Sequence, residues 1–367
     1  MSTNDNTASR QWASRPDDQR YLSLADLKAS VLRRKQESWT ATPMSSELRV
    51  LPEGETDLAV TVYDPSQGSQ RALTPTNWSF TQLAGYAKAP ASYLRQLPSQ
   101  LAAINLQWGL ENNSVREQAL VLGQSNGTNE LRALTSVSYG RIWDYQVVEM
   151  VERMNGDGRW VVPASSYTTQ NPKRATTLYA SDRDVFIFLV DPKNAIEVNG
   201  EQLFRGFYTW NSEVGSATFG LRTFLYRYVC DNRIIWGQTD VKELRIRHTG
   251  GAPERFAYEG AKYLRRYAEE STAKIADGIR AAQGKDLTSE INTGKGDTIA
   301  TWLQKRGFTK AQATASVETA QAEQGEARSL WAIVQGVTAY ARSVSHTDER
   351  VQLETKAGQL MELVTSA

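Results

Sequence analysis

The side chains best able to do chemistry in this chain lie between Phe204 and Tyr267, where basic and aromatic residues alternate. Arg205, Phe207, Tyr208 and Trp210 come first, then Arg222, Tyr226, Arg227, Tyr228, Arg233 and Trp236. Lys242, Arg245, Arg247 and His248 follow, and Lys262, Tyr263, Arg265, Arg266 and Tyr267 close the run. Single-stranded nucleic acid calls for this mixture. Bases stack on aromatic faces at roughly 1–3 kcal/mol each, and cations neutralise phosphates. Residues 221–270 hold ten Lys/Arg against seven Asp/Glu, a local excess in a chain whose net charge is +1. In a strand, Arg245 and Arg247 point to one face and Lys242 and Leu244 to the other, while Arg222 and Tyr226 share a face. The expected contact set is Arg222, Tyr226, Arg227, Tyr228, Arg233, Lys242, Arg245, Arg247, His248, Lys262, Tyr263, Arg265 and Arg266. The same alternation also fits an ordinary half-buried sheet whose rings are core.

Other chemistries find less support. The two histidines, His248 and His346, show no paired ligand spacing such as HExxH. Asp182 and Asp184 with Glu213 can be imagined around Mg²⁺ as a nuclease site, although acids in Ser-Asp-Arg-Asp also suit a hairpin turn. The lone Cys230 and His248 invite comparison with a thiol dyad, against the commoner reading of a buried thiol and a hydrogen-bonded loop histidine. There is no GxSxG elbow, and neither Gly294-Lys295-Gly296 nor Thr249-Gly250-Gly251 completes a phosphate loop. His248-Thr249-Gly250-Gly251 does precede a helix, so its backbone N–H groups could face an anion or simply cap a turn. No catalytic residue and no cofactor are expected.

These residues need a scaffold, and the hydrophobic periodicity describes an α+β fold. It predicts a largely antiparallel mixed sheet with interspersed helices, followed by an all-helical C-terminal region. Residues 1–45 read as a flexible arm with one short helix near Leu24–Lys35, its apolar face formed by Leu22, Leu24, Leu27 and Val31. Such an arm either docks on a neighbouring subunit or caps its own domain. Residues 46–252 form the α+β core. Leu48, Val50, Leu58, Val60 and Val62 alternate as two strands around Pro52-Glu53-Gly54. Ser79–Leu97 has helix-turn-helix spacing, which either reads a DNA groove or packs helices. A helix is expected at Tyr145–Met154, and Asn199-Gly200 marks a hairpin. Residues 253–367 read as helical. The first helix is drawn to about Gln283 with a seam of Ala257, Ala261, Leu264, Ala268, Ile275 and Ile279, and others follow at Asp297–Arg306, Lys310–Ala322, Ala327–Arg342 and Asp348–Val364.

The chain has 367 residues, 40% of them hydrophobic, so a packed core is expected. Near-neutral charge argues against a basic coat for duplex DNA. No apolar run reaches the ~20 residues of a membrane helix. No signal-peptide segment is read in the polar N-terminus, and one cysteine excludes an intrachain disulfide; both fit a reducing, cytoplasmic location.

Three segments carry a resemblance: Ser212-Glu213-Val214-Gly215, Arg227-Tyr228-Val229-Cys230-Asp231-Asn232, and Arg247-His248-Thr249. With them, the chain resembles the phage/plasmid-like proteins of domain-of-unknown-function family 932. LRALTSVSYGRIWDYQVVEMV and SLWAIVQGVTAYARSVSHTDERVQLETKAG look alike too, so the likeness runs over most of the chain after about residue 70. The resemblance implies a gene carried by bacteria, phages or plasmids, and an intracellular protein of the bacterial host cell found among DNA replication and recombination functions. It suggests a role akin to single-strand annealing proteins, which assemble as rings or filaments around single-stranded DNA without ATP or bond chemistry. The expected partners are therefore single-stranded DNA and further copies of the chain, with no membrane. Two other readings compete: a protein-interaction factor of a mobile element, whose arm and helical region would carry the partner surface, and the metal-dependent nuclease.

Overall fold

The computed structural model describes residues 15–112, 118–125, 127–162, 176–198, 200–227, 232–234, 243–269, 271–291, 296–344, 353 and 356–364. In chain order the elements are β1 (Arg20–Tyr21), α1 (Leu24–Gln36), β2 (Ser38–Ala41), β3 (Arg49–Glu53), β4 (Asp57–Asp64), β5 (Ser69–Pro75), α2 (Asn77–Tyr86), α3 (Ala91–Leu94) and α4 (Ser99–Asn112). Next come β6 (Ala119–Ser125), β7 (Asn129–Ser136), α5 (Asp144–Met154), β8 (Leu178–Ala180), β9 (Val185–Val198), β10 (Glu201–Asn211), β11 (Phe219–Arg227), β12 (Asn232–Ile234) and β13 (Glu243–Ile246). The helices α6 (Ala252–Glu269), α7 (Thr272–Gly284), α8 (Ile299–Gln304), α9 (Lys310–Gln324) and α10 (Leu330–Ser343) follow, and residues 356–361 are helical as well.

The class is α+β, with the strands divided between two sheets. A six-stranded sheet has the order β2-β6-β7-β5-β4-β3, and a seven-stranded one runs β1-β8-β9-β10-β11-β12 with β13 also on β11. Every pairing is antiparallel except β5 with β7. Helices α2 to α4 bury Leu83, Ala84, Leu94, Ala103 and Leu106 against Val50, Val60 and Leu73 of the six-stranded sheet. Helices α1, α5 and α6 cover one face of the larger sheet through Leu27, Val31, Val147, Val151, Phe256 and Leu264. A third core joins α7 to α10 to Ile196, Val198 and Leu203 of the β9–β10 hairpin.

Both sheets use one packing device. Trp39 lies directly across from Gly123 and Trp210 directly across from Gly220. A Cβ on Gly123 would sit 2.4 Å from the Trp39 ring, and one on Gly220 2.0 Å from the Trp210 ring. The glycines leave room for indoles to lie flat on the neighbouring strand, which pins the register.

The expected boundaries shift in three places. The N-terminal arm is part of the fold from Arg20 on: β1 and β2 join different sheets, and Leu27 and Val31 of α1 are enclosed, although Leu22 is exposed. It caps its own chain because both apolar positions one turn apart find partners there. The long first C-terminal helix is two, α6 and α7. The face that α6 buries is Ala252, Phe256, Gly260 and Leu264, while Ala257 is exposed. Gly260 decides this phase, because a side chain there would strike the Met150 sulfur at 2.7 Å. Helix α6 therefore belongs with the sheet and not with the following bundle. The helix-turn-helix spacing yields an α3 of four residues, and Arg95 just after it is bound back to Asn77 and Thr81. A single turn tied down in this way is a packing corner between α2 and α4.

Candidate functional site

The turn after β10, Asn211-Ser212-Glu213-Val214-Gly215-Ser216, sits where the two sheets meet. Several of its polar groups are held by other parts of the chain. Asn211 donates to the Ile142 carbonyl and to Asp144, both at 2.8 Å. Tyr139 donates to the Ser212 carbonyl at 2.7 Å, and Arg141 to that of Glu213. Trp78 Nε1 and Gln82 Nε2 both donate to the Val214 carbonyl, at 3.0 and 2.9 Å. Gly215 has φ +86°, the left-handed region that glycine enters without strain.

Glu213 itself is 1% exposed. Its carboxylate accepts from Arg34 Nε at 3.1 Å, Arg132 Nη2 at 2.6 Å and the Asp144 backbone N–H at 3.2 Å. Arg34 also reaches Asp144 at 2.5 Å and the Ser181 carbonyl. So α1, β7, the start of α5 and the β10 turn share one enclosed ion network. Burial alone would raise the pKa of Glu213, but the charges of Arg34 and Arg132 outweigh it and hold the group at about 2. Burial, and then the neighbouring Glu213 charge, push Asp144 well above the usual aspartate range. Glu213 is thus the ionised anchor, and Asp144 competes with it for Arg34.

This arrangement bears on the imagined metal site. Glu213 is saturated by guanidinium groups, Asp184 pairs with Arg15 at 2.5 Å and with Ser181, and Asp182 is exposed at a turn. Among the described residues no three metal-ligating side chains come together. The three acids are split between cations rather than gathered around a cation vacancy.

The predicted contact residues divide. On β13, Leu244 and Ile246 pack into the core while Arg245, and Arg247 just past its end, are exposed, as the alternation requires. Arg245 lies 5.8 Å from the Trp210 ring. Arg222 is half-buried and donates to Tyr208 Oη at 3.3 Å. Lys262, Arg265 and Arg266 are exposed on the outer side of α6. Tyr263 and Tyr267 turn inward and pack against the core of the larger sheet. His248 is half-buried: its Nδ1 lies 3.1 Å from the Gly140 carbonyl, its ring stacks on Tyr139 at 4.8 Å, and burial lowers its pKa to about 4. Tyr226, Arg227 and Arg233 have their backbones in β11 and β12. Tyr228, Lys242, Cys230, Trp236, His346, Gly294 and Lys295 lie outside the described residues.

The earlier part of the aromatic run is core. Phe207, Tyr208 and Trp210 are 0%, 2% and 4% exposed, and Arg205, at 2%, donates to the Tyr267 and Ala268 carbonyls at the end of α6. A cation closing a helix C-terminus explains a buried arginine here without a ligand. Its partners lie more than sixty residues on, so local sequence could not reveal them.

Sequence reasoning missed one cluster. Lys35 Nζ lies 4.3 Å from the Trp143 ring centroid, and Arg141 Cζ lies 5.5 Å from it. Arg183 Cζ lies 5.6 Å from the Trp78 ring. Both tryptophans pack against Val214 of the turn. Apart from Arg141 and Trp143, these five residues are far apart in sequence. The only clue was an unusual number of tryptophans in a polar chain. Tyr258, exposed at 70% with Lys262 Nζ 5.1 Å from its ring, was missed too, although its place one turn before Lys262 was visible.

No described helix is long and apolar enough to cross a membrane. No curated protein and no solved structure matches the chain. A family model described as "Domain of unknown function (DUF932)" matches residues 143–361, so the match starts beside Asp144 and leaves out the six-stranded sheet. With more than half its length in that match, the chain belongs to domain-of-unknown-function family 932.

Proposed function

We propose that this protein binds single-stranded DNA without enzymatic chemistry, as an oligomer serving DNA recombination or replication. One observation carries the reading. Arg247, Lys262, Arg265 and Arg266 are exposed, and among the described residues none of them has a carboxylate partner. By contrast Arg255, on the same helix, is closed off by Glu259 at 3.0 Å. Unpaired cations at a surface cost self-repulsion that a phosphate backbone relieves, with release of counterions. Lys262 and Arg266 are one turn apart, about 6 Å along α6. Tyr258 offers a ring beside them for a base to stack on.

Anisotropy of a labelled ~60-mer oligonucleotide, titrated over a salt series, tests this. The logarithm of affinity falls with the logarithm of salt at about −0.7 per phosphate neutralised. Changing Arg247, Lys262, Arg265 and Arg266 to Gln together reduces that slope by roughly 3. An oligonucleotide that is not retained at low salt rules the reading out.

The interaction-factor reading has its own support in α4. Leu101, Ile104 and Trp108 are 49%, 63% and 62% exposed and recur on one side of the helix. Pull-down after nuclease treatment separates the two readings, because a stoichiometric protein partner that survives, and is lost in Trp108→Lys, favours the second.

A further inference from the structure

The ion network at the sheet junction is not electrically closed. Three guanidinium groups (Arg34, Arg132 and Arg141) face two carboxylates (Asp144 and Glu213), leaving a positive charge over. Arg141 is 9% exposed, and its Nη2 has no hydrogen-bond acceptor. That nitrogen is itself enclosed, so the surplus charge acts as positive potential at the surface above it, where it favours an anion.

The surface over this network has matching character. Trp143 is flanked by Lys35 at 4.3 Å and Arg141 at 5.5 Å, and Trp78 by Arg183 at 5.6 Å. Each of these residues is tied to the network through the chain or by one hydrogen bond. Lys35 follows Arg34; Trp143 precedes Asp144; Arg183 lies two residues after Ser181, whose carbonyl Arg34 holds; and Trp78 holds the carbonyl of Val214. Both indoles are half-buried. Among the described residues Lys35 has no acidic partner, and Arg183 reaches only its sequence neighbour Asp182, at 4.0 Å. Cations resting on ring faces at a surface are held weakly, whereas a phosphate oxygen gives a charge-assisted bond about twice as strong as a neutral one.

We infer that this ledge binds a nucleotide unit, with Lys35 and Arg183 holding the phosphate over the surplus charge of Arg141 and the indoles of Trp143 and Trp78 stacking the base. Movement of the cations onto the phosphate uncovers the ring faces for the base. The site is separate from the α6 cations and does not depend on them. Its unit comes either from a free nucleotide or from a strand crossing the junction.

Calorimetric titration of the full chain with deoxyadenosine 5′-monophosphate, deoxyadenosine, inorganic phosphate and a (dA) oligomer tests the assignment. Saturable binding of the monophosphate, tighter than that of either part alone, is expected. Lys35→Gln with Arg183→Gln weakens it roughly tenfold to a hundredfold. Both side chains are partly exposed, so thermal unfolding stays unchanged, and Lys35→Arg restores most of the affinity. Replacing Arg247, Lys262, Arg265 and Arg266 by Gln leaves monophosphate binding intact, so failure of one site is read separately from failure of the other. Tighter retention of the oligomer, lost in the same double variant, assigns the unit to a strand; equal retention assigns a free nucleotide. Absence of saturable monophosphate binding at millimolar concentration, or unchanged affinity in the double variant, overturns the inference.

Discussion

Replacing Glu213 by Gln removes one charge and changes almost no volume, which isolates the electrostatic role of the junction. The side chain is 1% exposed and faces two guanidinium groups at 3.1 and 2.6 Å. Breaking a buried ion pair from one side costs about 3–5 kcal/mol, because the partner charge stays buried without compensation. A second route gives a similar figure. The fall from the usual glutamate value of 4.5 to about 2 corresponds to roughly 3 kcal/mol. The melting temperature should drop by roughly 6 to 20 °C. Because the folded-state pKa lies below the unfolded one, the stabilisation is present above pH 4.5 and is lost as the pH falls toward 2. The wild type and Glu213→Gln should therefore converge in acid. Urea unfolding followed by tryptophan fluorescence between pH 7 and pH 3 measures both effects, with Asp182→Asn, at an exposed turn, as the control. Adding Arg132→Met to Glu213→Gln should recover part of the loss, since it removes the stranded charge. A Glu213→Gln protein within about 1 kcal/mol of wild type at pH 7 would refute the network as the clamp between the sheets.

Other consequences can be measured in the same way. His248, with its pKa lowered by burial from 6.5 to about 4, favours unfolding when protonated, so it withdraws up to about 3 kcal/mol as pH falls from 6.5 to 4; His248→Gln should flatten that part of the stability profile. Gly220→Ala drives a methyl into the Trp210 ring and should cost about 1–3 kcal/mol in chemical denaturation. Gly85→Ala, at an exposed helix position with nothing within 4 Å, should instead be neutral or stabilising by up to about 1 kcal/mol. Trp108→Lys should leave melting unchanged within about 0.5 kcal/mol, and a fall in sedimentation coefficient at high protein concentration would assign the α4 stripe to self-assembly.

Local pattern revealed local structure. The alternation of Leu244, Arg245, Ile246 and Arg247 gave both faces of β13 correctly, and Gly200 does turn the β9–β10 hairpin with φ +82°. What failed to read out were partnerships across long stretches of chain. Arg205 looks like any surface cation until α6 ends on it, and Glu213 looks like a turn acid until Arg34 and Arg132 arrive from residues far before it. The split of the strands into two sheets was hidden for the same reason. Residues 20–21 and 38–41 are separated by one helix yet join different sheets, a choice made by packing and not by propensity. The phase of α6 was misread because Gly260 scores as a poor core residue, although its small size is what admits Met150.

The family match opens at residue 143, whereas Arg34 and Arg132, which neutralise Glu213, come earlier in the chain. The matched portion thus carries an acid whose counter-charges belong to its neighbour, much like one half of a split reporter. Two separately expressed halves, divided between β7 and α5, should be poorly soluble alone and should reconstitute when mixed. Recombining halves from different family members should succeed only where the acid of one finds the arginines of the other.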